Sequence, residues 1–509
     1  MSTLRDSESE LRRFAGVGGL APAYDLLLLT ATLTTTADTT IADSSAQDAL
    51  SDIVVHRDPH TGAPMIPATA QSGVLRHALA ARLDRARVGR VFGVAPIDES
   101  GIGYHPAALC PHDMLARTTS TRRRTGNAVD PATRTVRPGG VFTVETVPAG
   151  TEFDLVWQVW LPRPDDPATA TAAATIVDTV AAAGALLDAG HIRFGQRTRA
   201  GRGAVTTKDW QVRWLALTND ATDAEAWYST PYDRIGDLTN DAQATPRLRT
   251  ALTVLRTRWA ACTPDTDSPW CSPLPEAPPP PTGDRVVVTG QLRVAETVAG
   301  SVLASTVRTV PGEYPVDSGS AVKALLRATA SRVVEFVAAS LLAPDAEPST
   351  AYEHARERGR ALVRDLFGTH PADPDFRLAT PSRLSVNELP LSDAVPVVFD
   401  RVPINPLTRA TIPGRKGVVA AHYGGSRLLR IEAVDVTAAE RGLLMLVVRD
   451  LRDGLAAATG PHRRQLESVG FCFHTTGSTR ELSWTETVKD PSVHADVAAL
   501  VTEITRGTP

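Results

Sequence analysis

The stretch IPATAQSGVLRHALAARL, residues Ile66–Leu83, predicts the local fold of the first half of the chain. Pro67 opens a turn, small residues follow, and apolar side chains from Val74 onward then recur at the spacing of one helix face. A loop of small residues that leads into a helix offers backbone N–H groups to an anion. A strand-to-helix turn of this kind occurs in many α/β domains, so the stretch alone also allows a purely structural role.

A second stretch of the same kind, YPVDSGSAVKALLRATA, occupies Tyr314–Ala330. Two further segments, VDPATRTVRPG at 129–139 and INPLTRATIPG at 404–414, lie 275 positions apart and share five identical residues. The pair Phe92-Gly93 precedes Phe367-Gly368 by the same offset. Because several landmarks keep one offset, we predict that one domain type occurs twice in tandem.

Length and composition describe an ordinary globular protein. The 509 residues suit two or three domains, and 42% are hydrophobic while 22% are charged. The four cysteines form no CxxC pair, which argues against a disulfide scaffold or a zinc ribbon and suits a reducing cytoplasm. The N-terminal segment has no apolar core and no uncharged apolar run reaches 18 residues, so we expect a cytoplasmic protein without an export signal or membrane span.

The charge of the chain is unevenly distributed. The formal net charge is −4, yet residues 117–137 contain six arginines and one aspartate. Residues 193–208 contain four arginines and one lysine without an acidic residue. Each run alone is compatible with a solvated surface, but two runs in one half predict a basic track for an anionic partner.

The order of predicted elements indicates the fold class. The first half reads as a strand, a helix, a strand pair, a second helix and a last strand, which resembles a ferredoxin-like βαββαβ unit with insertions. We therefore predict an α+β fold. The elements after the opening helix are expected at 141–147, 152–161, 168–187 and 211–217, and the first strand at 24–33.

A proline-rich segment divides the chain. Residues 262–284 include PEAPPPPTGD and predict an extended linker. We expect a first domain with a C-terminal helical tail at 1–261 and a second domain at 285–509. The second domain repeats the element order, but its counterpart of the basic glycine-rich loop, Val469–Trp484, has lost most of the arginines. The second domain is therefore expected to be chemically weaker, because it has fewer basic side chains in this loop.

Four motifs resemble the RAMP superfamily, the repeat-associated RNA-binding proteins of CRISPR effector complexes, and most closely the repeating backbone subunit of type III complexes. The resemblance implies two tandem ferredoxin-like domains, which are modified RNA-recognition motifs, with inserted thumb-like hairpins. It also implies a ribonucleoprotein that binds guide RNA, target RNA and other effector-complex subunits, without a membrane. The motifs are RDPHTGAPMIP at 57–67, SGVLRHAL at 72–79, VFG at 91–93 and RTRAGRG at 197–203.

The resemblance also points to an endoribonuclease centre. The family's catalytic aspartate stands five residues before the Arg57-Asp58-Pro59 turn and corresponds to Asp52. Such a carboxylate holds a divalent metal, here expected to be Mg²⁺, or orients a 2′-hydroxyl for attack on the adjacent phosphate. The equivalent position in the second half is Leu303, so we expect one cut per molecule, made by the first domain. Without the resemblance, Asp52 would be interpreted as an ordinary loop or helix-capping carboxylate.

The resemblance assigns RNA contacts to three groups of side chains. The first lies in the two related helices, the second in the thumb-like hairpin that displaces a base from the guide–target duplex, and the third in the glycine-rich loop that clamps the guide backbone. A guanidinium suits these roles because it pairs with phosphate bidentately and stacks on bases. In order, the groups are Ser72, Arg76, Lys323 and Arg327; Arg122, Arg123 and Arg124; and Arg193, Arg197, Arg199 and Arg202.

Three alternatives stay open at the level of sequence. The chain could be a structural RAMP subunit that binds guide RNA without cleaving a target. It could be a guide-processing endonuclease that uses a histidine such as His56 or His77 as general base. It could also be a ferredoxin-like protein unrelated to RNA, which would show no salt-sensitive nucleic-acid binding.

Overall fold

The computed structural model divides by its internal contacts into two compact units. The first comprises residues 1–123, 143–196 and 203–282, and the second comprises residues 124–142, 197–202 and 283–509. The structure describes residues 24–43, 50–93, 107–129, 136–162, 167–217, 220–262, 274, 283–294, 305–307, 314–340, 350–369, 380–401, 417–456, 464–475 and 478–506.

Most of the predicted linker at 262–284 therefore lies outside the described residues, as do residues 1–23 and Leu303. Within the linker, Leu274 is buried in the hydrophobic core of the first unit. The predicted domain boundaries stay predictions.

Ten α-helices lie in the described residues, together with 3₁₀ segments at Thr198–Ala200 and Tyr232–Thr239. They are α1 Ala68–Ala80, α2 Arg85–Phe92, α3 Pro167–Asp188, α4 Ala221–Ser229, α5 Leu248–Cys262, α6 Gly319–Ala339, α7 Thr350–Phe367, α8 Ala438–Arg452, α9 Trp484–Thr487 and α10 Pro491–Thr505.

Twenty β-strands lie in the same described residues. They are β1 Tyr24–Thr35, β2 Ala42–Asp43, β3 Val54–Val55, β4 Met65–Ile66, β5 Leu109–Pro111, β6 Met114–Leu115, β7 Arg122–Val129, β8 Val136–Thr146, β9 Glu152–Pro162, β10 Val205–Leu215, β11 Arg285–Val294, β12 Ser305–Val307, β13 Tyr314–Asp317, β14 Leu384–Val386, β15 Leu389–Pro390, β16 Val395–Arg401, β17 Gly417–Tyr423, β18 Ser426–Val434, β19 Arg464–Thr475 and β20 Ser478–Ser483.

The sheet of the first unit has the strand order β10-β1-β9-β5, with antiparallel neighbours throughout. This is the order of a ferredoxin-like βαββαβ unit, and the predicted α+β class is confirmed for this unit. The predicted pairing of the strand at 141–147 with that at 152–161 is wrong. Residues 141–146 belong to β8, which pairs with β7, and β5 occupies the place of the second strand in this sheet. The run Leu26–Leu29 in β1 is fully buried. Leu27 and Leu29 belong to the main core, whereas Leu26 packs with Trp160 and Trp227 on the other face. Because both faces are covered, β1 is continuously apolar rather than alternating.

The alanine-rich helix α3 is the main support of this core. Val177 and Val180 are completely buried, and the helix contacts β9, β10 and α5. Among the described residues it is the one helix long and apolar enough to cross a membrane, but 72% of that window is buried inside the protein. Its apolar composition is therefore accounted for by packing in the core.

The sheet of the second unit has the order β14-β18-β11-β19-β20. Without the edge strand β20, the order β19-β11-β18-β14 repeats that of the first unit. The segment Val469–Trp484, expected from sequence to be a glycine-loop counterpart, instead forms part of β19 and then β20, which pair antiparallel. A hydrophobic core of its own lies between this sheet and helices α6, α7, α8 and α10.

The central strands of the two sheets share an irregularity of register. In the first unit the pairing of β1 with β10 shifts between Thr30 and Thr32, where Asp209 has a φ of 57°. In the second unit the pairing of β11 with β19 shifts between Thr289 and Gln291, where Ser468 has a φ of 52°. A β-bulge with a left-handed residue thus occurs at the same point of both sheets.

The two ends of the glycine-rich loop, at Phe194 and Gly203, are held together by backbone hydrogen bonds within the first unit. The Phe194 amide donates to the Gly203 carbonyl oxygen at 2.8 Å, and the Gly203 amide donates to the Asp38 carbonyl oxygen at 3.0 Å. Gly203 has a φ of +74°, and a Cβ there would lie 1.9 Å from the Phe194 carbonyl oxygen. Gly62 has a similar φ of +68° but open space around its Cβ position.

We predict that Gly203→Ala destabilises the protein more than Gly62→Ala does. Both substitutions incur the left-handed strain of about 1–2 kcal/mol, but only Gly203→Ala also forces two backbone segments apart, for a total of about 3 kcal/mol or more. Urea unfolding of the full chain measures the difference. Equal loss of stability in the two variants would contradict this account of the loop.

Candidate nucleic-acid interface

An ion pair organises the turn that carries the first motif. Arg57 Nη2 donates to Glu145 Oε1 at 2.6 Å, and Arg57 Nη1 donates to the Gly62 carbonyl oxygen at 2.7 Å. Glu145 also accepts a hydrogen bond from the Val55 amide at 3.0 Å and another from the Thr121 hydroxyl. Burial alone would raise the pKa of Glu145, but the hydrogen bonds from Thr121, Val55 and Arg57 lower it below its ordinary value. The Arg57 turn is thereby fixed to β8.

Asp52 lies exposed beside this turn. Its Oδ2 accepts the Thr143 amide at 2.6 Å, while its own amide donates to the Thr143 carbonyl oxygen at 2.9 Å. Thr143 belongs to β8, so Asp52 is fixed at the base of the predicted thumb-like hairpin. The exposed carboxylate of Asp52 is accessible to a phosphodiester. Its hydrogen bond with the Thr143 amide also gives it a structural role.

Helix α1 begins earlier than the sequence predicted. It starts at Ala68, so the small residues form its first turns rather than a loop, and Ser72 lies inside the helix, half-buried. The Ala68 amide donates to Asp113 Oδ1 at 2.7 Å. The anion that the sequence led us to expect at this helix N-terminus is thus supplied by the protein itself. Arg76 is exposed on the same helix.

The arginines at the start of the thumb-like hairpin have different surroundings. Arg122 is mostly buried, and its Nη1 lies 3.8 Å from Asp38 Oδ1. Arg123 is exposed, and its Nε donates to Ser51 Oγ at 3.1 Å, next to Asp52. Of these two side chains, Arg123 is the one whose guanidinium faces solvent near Asp52.

Arg124 belongs to the second unit and makes a buried ion pair there. Its Nη1 donates to Glu388 Oε1 at 2.6 Å, with side-chain exposures of 7% and 3%. Glu388 Oε2 accepts the Gly319 amide at the start of α6, at 3.1 Å. The predicted RNA contact of Arg124 is untested, but this geometry gives its guanidinium a structural partner.

The glycine-rich loop residues 197–202 also belong to the second unit. Arg197 and Arg199 are exposed, and Arg197 lies over the Phe142 ring with its guanidinium carbon 4.5 Å from the ring centre. Arg202 is buried, with 6% of its surface exposed. A Cβ on Gly201 would lie 2.4 Å from the Glu388 amide nitrogen, so a glycine is required there. Two of the three arginines therefore face solvent.

Lys323 and Arg327 lie one turn apart on α6, both half-buried. Burial lowers the pKa of Lys323 to about 8, and the nearby Arg199 and Arg327 charges act in the same direction. Within the described part of the chain, Lys323 forms no ion pair with a carboxylate. An anion would therefore be stabilised at this position in the second unit.

Arg193 and the two candidate histidines lie in the first unit. Arg193 is half-buried, and its backbone pairs with Ala204 where the glycine-rich loop closes. His56 Nδ1 lies 3.3 Å from Asp43 Oδ2, and His77 is exposed near the end of α1. Neither histidine contacts Asp52 through any bond found among the described residues.

Sequence reasoning missed the carboxylates that hold these elements in place. Asp113 and Glu388 each accept the first amide of a helix, and Glu145 anchors the Arg57 turn. The offset of 275 residues that relates the two halves also relates Asp113 to Glu388. That offset could have identified the pair, whereas the role of Glu145 depends on contacts between distant segments.

We predict that Glu145→Gln lowers stability at pH 7 by about 1–3 kcal/mol. The folded-state pKa of Glu145 is lowered, so its contribution is present above the ordinary value of 4.5 and is lost as the pH falls through the folded-state pKa. Urea midpoints of the wild type and the variant should therefore converge on acidification. Asp154→Asn, which removes an exposed partner of Arg117, is the control with a small effect. A difference that persists unchanged below pH 3 would contradict the assignment.

Comparison with known protein families gives a match to part of the chain. Residues 26–206 match the family model of the RAMP superfamily. No curated protein matches the chain. The matched range contains most of β1, the strands β5 and β9, the Arg57 turn, Asp52 and the glycine-rich loop. Residues 26–206 are therefore similar to proteins of the RAMP superfamily.

Proposed function

We propose that this protein is a guide-RNA-binding backbone subunit of a type III CRISPR ribonucleoprotein, and that its first domain cleaves target RNA. The match of residues 26–206 to the RAMP family model supports a CRISPR-associated RNA-binding role. The observation that carries the finer proposal is the exposed carboxylate of Asp52, fixed to β8 beside Arg123. In this role the protein acts in the cytoplasm with guide RNA, target RNA and other effector subunits.

The side chains proposed to contact RNA differ in how much of each is exposed to solvent. Arg76 and Arg123 in the first unit are solvent-facing, as are Arg197 and Arg199 in the second. These guanidinium groups can pair with phosphates without breaking a buried ion pair, so we propose that they contribute most to backbone binding. Arg193 and Ser72 are half-buried and would contribute less. For Arg122, Arg124 and Arg202, burial favours a role in positioning the hairpin and the loop.

Three structural parallels support the proposal that one domain occurs twice. The two sheets share a strand order, the two central strands share a β-bulge, and a carboxylate caps the first helix of each unit. In the sequence, Leu303 stands in the second half where Asp52 stands in the first. We therefore propose that the second domain binds RNA, with Lys323 and Arg327, and does not cut it.

The proposed cleavage is an in-line attack of a ribose 2′-oxygen on the adjacent phosphorus. The bond from phosphorus to the 5′-oxygen breaks, leaving a 2′,3′-cyclic phosphate and a 5′-hydroxyl. The Thr143 amide donates a hydrogen bond to Asp52 Oδ2, so the other oxygen, Oδ1, would orient the attacking hydroxyl. The described residues contain no group of three metal-binding side chains. A single carboxylate fits a Mg²⁺ ion shared with RNA phosphates, and Asp52 would hold it; the ion would supply charge for the developing phosphorane.

A non-catalytic structural subunit is the second candidate function. The Asp52–Thr143 pair of hydrogen bonds favours it, because this contact explains a carboxylate at position 52 without any chemistry. In that case the protein binds guide RNA and organises the complex. The two candidate functions differ in whether the Asp52 side chain takes part in cleavage.

We predict that Asp52→Asn lowers target-RNA cleavage by the reconstituted complex at least about 100-fold and leaves guide-RNA binding unchanged. Asparagine keeps an oxygen for the Thr143 amide, so the fold is retained. Denaturing gels of labelled target RNA measure cleavage, and Asp154→Asn, another exposed carboxylate of the first unit, is the matched control. If the Asp52→Asn complex cleaves target RNA at the wild-type rate, the catalytic proposal is wrong and the protein is a structural subunit.

We further predict that RNA binding weakens as the pH rises from 7 to 9, by roughly fivefold for loss of one charged contact. Lys323 loses its proton near pH 8, so its contact with phosphate is present at pH 7 and lost at pH 9. Lys323→Arg should remove this pH dependence, as measured by fluorescence anisotropy. Lys208→Arg is the control, because the Glu152 carboxylate raises the pKa of Lys208. Identical pH profiles for the wild type and Lys323→Arg would exclude Lys323 as an RNA contact.

A further inference from the structure

A stack of three groups joins the hairpin β7–β8 to the glycine-rich loop within the second unit. Its first group is the backbone of Gly126 in β7, because a Cβ there would lie 2.5 Å from Phe142 Cζ. The Phe142 ring in β8 is the second group. The third is the Arg197 guanidinium, whose carbon lies 4.5 Å from the centre of that ring. A glycine thus lets the ring lie against the hairpin, and the ring supports the arginine.

Arg197 has an unusual backbone conformation. Its φ of 55° and ψ of 30° are left-handed, a region that a residue with a Cβ rarely adopts. Glycine adopts it without strain, and Gly195, Gly201 and Gly203 of the same loop have positive φ. An arginine that keeps this strain in a glycine-rich loop points to a function of its side chain.

One side of the Arg197 guanidinium is open. The side chain is exposed to solvent, and the Phe142 ring covers only the side that faces it. Within the described residues, Arg197 forms no ion pair with a carboxylate. Because a guanidinium is flat, a second planar group can stack on its open side while the N–H groups at its edge still donate to a phosphate. Arg197 therefore offers a ligand a flat face as well as a charge.

The surroundings of this face are basic. Arg199 lies in the same loop and is exposed, and its charge acts on Lys323 of α6. The loop lies against the start of that helix, since a Cβ on Gly319 would overlap the Ala200 carbonyl oxygen. The Glu388 carboxylate in this region is buried in an ion pair. The planar group that fits such a place is carried by a polyanion, and an unpaired base of RNA is such a group.

We propose that Arg197, supported by Phe142, is a stacking platform for an unpaired nucleobase of the bound RNA. The inference rests on the proposed function and adds to it a contact with a base beside the contacts with phosphates. Stacking uses the face that all bases share, so the platform accepts a base without reading its identity. A lysine at position 197 keeps the charge but has no flat face, which separates stacking from phosphate pairing.

Two oligonucleotides of equal length and charge test the proposal on the full-length chain freed of RNA. One is oligouridine, and the other is oligodihydrouridine, whose rings are neither aromatic nor planar. Fluorescence anisotropy measures both affinities. We expect the wild type to prefer oligouridine about tenfold, and Arg197→Lys to lose most of this preference. Because all positions of each oligonucleotide are alike, the comparison does not depend on where the chain binds.

The matched control is Arg199→Lys. Arg199 is exposed in the same loop, and no aromatic ring lies against it among the described residues. Whatever this variant does to affinity, its ratio of the two affinities should equal that of the wild type. Arg197→Gly gives a second variant that removes the side chain and the left-handed strain together, so it folds and should also lose the preference.

Three results would overturn the proposal. They are a wild-type chain without preference for oligouridine, an unchanged preference in Arg197→Lys, and equal loss of preference in Arg197→Lys and Arg199→Lys. An unchanged preference in Arg197→Lys would leave the contact with Phe142 as packing between loop and hairpin. Absence of binding of both oligonucleotides to the wild type would instead refute the proposed RNA-binding function.

Discussion

A carboxylate at the start of a helix determines how each unit is arranged. Asp113 accepts the first amide of α1, and Glu388 accepts the first amide of α6. Each bond satisfies an amide that has no partner inside its helix and places negative charge at the positive end of the helix dipole. Since each carboxylate precedes a short strand, the bond also fixes that strand against the helix. An anionic ligand therefore cannot use these two amides and would have to be bound by basic side chains.

Burial separates the arginines into two physical classes. Arg57 and Arg124 contact carboxylates inside the protein, where removal of one partner would leave an uncompensated charge. Arg76, Arg123 and Arg199 extend into solvent and are available to an anionic ligand. The same residue type thus holds the fold in one place and provides the candidate RNA surface in another. The resulting surface is basic although the chain as a whole carries a net negative charge.

Much of the fold followed from local patterns. The apolar run of β1, the alanine-rich α3 and the alternation of β9 each predicted their element because periodicity reflects which faces are buried. The start of α1 was predicted too late, since Asp113 stabilises a first turn that small residues alone do not specify. Val469–Trp484 was predicted as a loop counterpart but pairs with β11 and within itself, because register is decided by the partner strand.

The sequence by itself determined that several landmarks recur at an offset of 275 residues, and that four motifs resemble those of RAMP proteins. The resemblance made Asp52 the expected catalytic position. Only the tertiary structure decided that Asp52 is fixed to Thr143, that Arg124 is buried on Glu388 and that Asp113 is exposed. The physical reason is that offset and motif are properties of order along the chain. Burial and ion pairing depend on which distant segments meet, and a charged side chain has the same letter in either environment.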